Sequence, residues 1–111
     1  RLPMHPTRLL IALTALGLSG STLAMDEAAA ESLARKSGCF KCHAIEKKKD
    51  GPPYKEIAGK WKGKADAEQK LTTHVTTAPK VKVDGKEEEH EQLKSKDPAE
   101  VKNVVLWILS R

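Results

Sequence analysis

"CFKCH", residues 39–43, contains both cysteines of a 111-residue chain and closes on a histidine. Two thiols separated by two residues, with an imidazole directly behind them, admit four chemistries: a short disulfide, a zinc site, a redox dithiol, or the attachment of a larger group. A disulfide across so short a loop would constrain little of the remaining fold. A thioredoxin-like dithiol follows a strand in a βαβ setting. Here the preceding stretch is "MDEAAAESLARKSG" (25–38), which predicts a helix: it is alanine-rich, Asp26 is placed to cap it, Glu27 lies early, Arg35 and Lys36 lie late, and Gly38 is a stop. Structural zinc takes four ligands, and the motif leaves the fourth unexplained.

The fourth chemistry gains weight from the start of the chain. Residues 1–24, "RLPMHPTRLLIALTALGLSGSTLA", combine a basic start at Arg1 and Arg8, an apolar run from Leu9 to Leu18, and the small residues Thr22 and Ala24 at a cleavage position. This is the pattern of a cleaved export signal. The alternative, an uncleaved anchor, is disfavoured because the run falls short of the about 20 apolar residues that span a bilayer. The expected organisation is therefore a signal peptide over 1–24 and one domain over 25–111, released as a periplasmic protein without stable membrane insertion. C-x-x-C-H in an exported chain is the signature of covalent haem: the thiols add across the porphyrin vinyl groups and the next histidine binds the iron. One haem c, joined through Cys39 and Cys42 with His43 as proximal ligand, is the expected cofactor.

Composition agrees. The chain carries a net charge of +5. Arg1 and Arg8 lie in the leader, so the remainder is only mildly basic, with charges of both signs throughout. A nucleic-acid binder would concentrate basic residues on one element with aromatics among them. The aromatics are Phe40, Tyr54, Trp61 and Trp107. A domain this small buries too little surface to be secure without a staple, and a flat apolar macrocycle would provide one.

"KKKDGPPYKE" reads as a loop, followed by a short helix from about Tyr54 to Lys60. "KADAEQKLTTHVTTA" (64–78) places Leu71, His74, Val75 and Ala78 on one helical face and ends at Pro79. Lys80 to Lys86 alternates around Asp84-Gly85, consistent with a hairpin or an extended loop. Asp97 as cap, Pro98 at the first helical position and Glu100 three residues after the cap start the last helix. Val101, Val104, Val105, Ile108 and Leu109 line its apolar face.

On "CFKCHAI", "GPPYKEIAGKW" and the closing "WILS", residues 25–111 resemble the class I c-type cytochromes, the short single-haem electron carriers of bacterial periplasms. The resemblance implies a small all-α cytochrome c fold of about four helices around one haem, with the first and last helices packed together. It implies that the Pro52 carbonyl accepts the free N–H of His43, orienting the ring. It also implies that Tyr54, Trp61 and Trp107 pack near the haem, and that the protein is no enzyme and has no small-molecule substrate. Partners would be redox proteins docking at the haem edge.

The chain departs from that family at the second iron ligand. Such cytochromes place a methionine late in the loop before the last helix, and here residues 25–111 contain only Met25. Imidazole is the usual strong substitute. His90, in "EEEHEQLK", stands at nearly the family's interval and is the expected distal ligand. His74, which better matches a haem-edge position, and an open site are the alternatives; an open or displaceable site would make the protein a gas-ligand binder or sensor. Imidazole in place of thioether, with Glu87, Glu88, Glu89 and Glu91 alongside, implies a lowered reduction potential. Lys36, Lys41, Lys47, Lys48, Lys49 and Lys55 flank the motif as a candidate positive rim for an acidic partner.

Overall fold

The computed structural model describes residues 1–3, 17 and 24–111. The apolar run of the expected signal segment, apart from Gly17, lies outside the described residues.

Helix α1, Glu27–Lys36, begins where the Asp26 carboxylate accepts the Ala29 N–H at 3.0 Å. Glu27 in the first turn and Arg35 and Lys36 in the last complement its dipole. The helix ends at Gly38, whose φ of +80° is the left-handed conformation that a side chain resists. A 3-10 turn, Cys39–Lys41, follows at once. Pro52 and Pro53 then deliver the chain into α2, Tyr54–Trp61.

Helix α3, Ala67–Thr76, is shorter than the 64–78 stretch the sequence pattern suggests. Leu71 and Val75 are buried as expected, but His74 is exposed on the protein surface. Ala78 is past the helix end in a left-handed turn, φ +48°, and Pro79 prevents continuation.

The next segment is a hairpin. Strands β1, Lys80–Val83, and β2, Lys86–Glu89, pair antiparallel, with Lys80 opposite Glu89 and Val83 opposite Lys86. Asp84 and Gly85 both have positive φ, +50° and +77°, as a two-residue type I′ turn requires. The fold is thus mostly helical, with one short two-stranded insertion. Helix α4, Pro98–Leu109, starts with the Asp97 carboxylate on the Ala99 N–H at 2.9 Å. Glu100 does not close the expected reciprocal cap; its carboxylate accepts the Ser95 hydroxyl instead.

Helix α4 is the common floor, touching α1, α2 and α3. Its Val104, Val105 and Trp107 are the largest fully buried side chains. Each such burial stabilises by about 1.5–3 kcal/mol. Ala30 and Ala34 of α1, both fully buried, let that helix approach closely. The start of α1 is then pinned to α4 by a reciprocal pair: Asp26 N–H donates to Asn103 Oδ1 at 2.8 Å, and Asn103 Nδ2 donates to the Asp26 carbonyl at 2.8 Å.

Asn103→Ala removes both bonds, expected to cost about 1–2 kcal/mol. That lowers the melting temperature of the haem-loaded protein by roughly 5–15 °C, measurable by circular dichroism.

Candidate haem-binding site

The site is built on one turn. The Cys39 carbonyl accepts N–H groups from both Cys42, at 3.3 Å, and His43, at 3.0 Å. A single backbone oxygen therefore gathers the residues three and four positions ahead onto one side of the turn, which is why the motif needs its spacing. Both cysteines are free thiols, half-buried. Burial pushes the Cys39 thiol up from its ordinary range despite a hydrogen bond with Tyr54, so it is held neutral. Burial likewise raises the Tyr54 hydroxyl.

Residues 44–53 fold back over the turn as a strap. Gly51 N–H donates to the Cys42 carbonyl at 2.7 Å, and Tyr54 N–H to Ala44 at 2.9 Å. Lys49 N–H donates to Gly51 at 3.2 Å, and the Lys49 ammonium donates to the Phe40 carbonyl at 2.6 Å. The strap carries the Pro52 carbonyl to 2.6 Å from His43 Nδ1. A carbonyl can only accept, so Nδ1 bears a proton, and in the neutral ring the lone pair is then on Nε2. Gly51 lies against the same ring: a Cβ there would stand 2.6 Å from Cε1 and 2.9 Å from Nδ1 of His43. Tyr54 covers the ring at 5.2 Å between centroids and is itself packed on Phe40 and Trp107.

His90 follows β2 directly. Its N–H extends the hairpin ladder to the Pro79 carbonyl at 2.9 Å, and its Nδ1 lies 2.7 Å from the Glu91 carbonyl. By the same reasoning His90 also holds Nε2 free. Its ring centroid is 6.1 Å from that of His43, with the planes at 48°. Burial pulls His90 below the ordinary imidazole range, against the raising influence of the Glu91 carbonyl and carboxylate. His74 stands edge-on to His90 at 4.4 Å; although largely exposed, it is lowered too, by partial desolvation and then by the His90 and His43 imidazoles. Met25 is elsewhere: its sulfur receives the Ser110 hydroxyl at 4.0 Å, at the end of α4.

The donor set can be tested against haem. Metal–imidazole bonds run about 2 Å, and the ring centre lies roughly 1 Å further, so two imidazoles on opposite sides of one metal have centroids about 6 Å apart. A structural zinc would need four donors; an iron already held by four porphyrin nitrogens needs two. Free thiols, two imidazoles whose Nδ1 atoms are each taken by a backbone carbonyl, and Phe40, Ile57 and Trp61 packed against the core fit haem c. Trp61 is half-buried, with Lys60 and Lys64 ammonium groups 5.5 and 5.1 Å from its ring. From sequence, Gly51 is only one residue of the "KKKDGPPYKE" loop; its close approach to His43 has no local sequence signal.

The cytochrome c family pattern matches residues 27–111. The crystal structure of the class 1 cytochrome MtoD from Sideroxydans lithotrophicus ES-1 is 56% identical, with a TM-score of 0.74, over 78% of this chain and 97% of that one. Cytochrome c-551 of Allochromatium vinosum is 38% identical over 60 residues, 54% of this chain and 64% of that protein's own length. Cytochrome c2 of Rhodocyclus tenuis is 38% identical over 87 residues, 71% of this chain and 88% of that protein.

Gly51→Ala drives a methyl group into the His43 imidazole. In the haem-loaded protein the expected result is a displaced ring, seen as a growing high-spin fraction in the ferric absorption spectrum, together with a lower melting temperature.

Proposed function

The chain belongs to the cytochrome c family, and from that premise we propose that it is a periplasmic one-electron carrier whose iron is bound by His43 and His90. Haem c, attached through Cys39 and Cys42, is the cofactor; it supplies the ferric/ferrous couple. The observation that carries the ligand assignment is the 6.1 Å between the two imidazole centroids.

The surrounding residues serve this role in physical terms. The Pro52 and Glu91 carbonyls fix each ring through Nδ1 and strengthen Nε2 as a donor. Burial keeps His90 neutral, the ligating form. Two strong ligands held by backbone limit rearrangement when the iron changes charge. Imidazole in place of thioether lowers the potential relative to methionine-ligated relatives. The glutamates add less than their number suggests, because Lys80 sits 3.9 Å from Glu89 and Lys82 stands opposite Glu87, and exposed pairs interact weakly. No helix among the described residues is long and apolar enough to cross a membrane.

For docking, the lysines divide. Lys49 is tied to the Phe40 carbonyl and belongs to the strap. Lys47 and Lys48 are exposed beside it and are the ones placed to steer an acidic redox partner.

Electron paramagnetic resonance tests the ligand assignment. The ferric protein and a His74→Ala variant are expected to share one low-spin signal, and the ferrous forms to resist carbon monoxide. His90→Ala is expected to lose that signal and bind carbon monoxide promptly. A low-spin signal unchanged in His90→Ala overturns the assignment, and prompt uptake by the unaltered protein favours a gas binder.

Replacing Lys47 and Lys48 together with Gln is expected to slow oxidation of the ferrous protein by hexacyanoferrate(III) about two- to fivefold at low salt. It should also flatten the ionic-strength dependence of that rate in stopped-flow measurements.

A further inference from the structure

We propose that Ser37 is a positioning residue for the distal ligand, acting through the backbone of the segment that carries His90. Ser37 is the buried polar residue among the described residues, 2% exposed. Its N–H closes α1 by donating to the Leu33 carbonyl at 2.9 Å. Its hydroxyl oxygen is thereby turned inward, where it accepts the Lys94 N–H at 2.9 Å across a sequence separation of 57.

The segment from His90 to Lys94 has three backbone anchors. His90 N–H goes to Pro79 and Leu93 N–H to Val75, both at 2.9 Å, and Lys94 N–H goes to Ser37. The first two tie the segment to the chain just before it, at Pro79 and the end of α3, and make no direct bond to the cysteine motif or to α1. Only the third hydrogen bond reaches the half of the molecule that bears the cysteine motif, since Ser37 stands two residues before Cys39. Proximal turn and distal segment are thus joined by polypeptide contacts that do not depend on iron. Leu93, 7% exposed in the core, adds packing at the same point, but packing alone is less directional than a hydrogen bond to a buried acceptor.

This inference rests on His90 as the iron ligand. A serine at a helix end is otherwise a local cap, and a cap alone predicts lost stability without a change at the iron. The discriminating readout is the rate at which the ferrous protein takes up carbon monoxide, which requires His90 to leave. With the Lys94 N–H left without its acceptor, Ser37→Ala is expected to raise that rate about five- to tenfold while the ferric low-spin signal is retained. Asn103→Ala, which loosens α1 at its opposite end, is the matched control: it should lower the melting temperature without changing the uptake rate. Equal acceleration in both variants, or none in Ser37→Ala, overturns the proposal. Amide exchange in the unaltered ferric protein supplies a test that needs no variant. The Lys94 N–H should be protected to a degree comparable with Leu93, and exchange at the rate of an open loop would also overturn it. Failure of the His90 assignment looks different: His90→Ala would then keep the low-spin signal, or the unaltered protein would bind carbon monoxide promptly.

Discussion

The hydrogen bond from His43 Nδ1 to the Pro52 carbonyl is the contact on which the site depends. It decides which nitrogen of the ring is free, and it does so with a group whose position is fixed by two consecutive prolines and by the Gly51 N–H on Cys42. The strap and the cysteine turn therefore define one rigid unit, with the imidazole clamped between a carbonyl on one edge and a glycine on its face. A larger residue at 51 or a movable residue at 52 would leave the ring's orientation to chance.

Around that unit the fold is economical in its means. One helix, α4, presents Val104, Val105 and Trp107 to three others. The buried aromatics Tyr54 and Trp107 meet edge to face at 5.1 Å, which favours a fixed arrangement. The ring of Tyr54 continues the same stack to His43. Core and site share this side chain, so a disturbance of helix packing is felt directly at the imidazole.

Much of this was legible in the residues. Asp26, Gly38, Asp97 and Pro98 mark helix ends by local chemistry that tertiary structure leaves unchanged. The motif named its own cofactor because its spacing answers to a single turn. Less legible was the span 64–78: apolar periodicity continues to Ala78, but Pro79 and the left-handed Ala78 end the helix earlier. The side of α3 on which His74 lies could not be read from a four-residue pattern either. Gly51 and Ser37 were silent for a common reason. Their roles come from partners, His43 and Lys94, whose proximity is a product of the whole fold.

The hairpin has a consequence for how this segment tolerates change in length. Because the His90 N–H on Pro79 closes the ladder at its base, the eight strand residues project beyond His90 as an appendage. Removing or adding one residue in each strand would shorten or lengthen the appendage and leave the imidazole where it is. A single insertion in β2 alone would shift the pairing by one and turn the imidazole to the other face. Length variation here is thus expected in balanced pairs, or on the side of the tip.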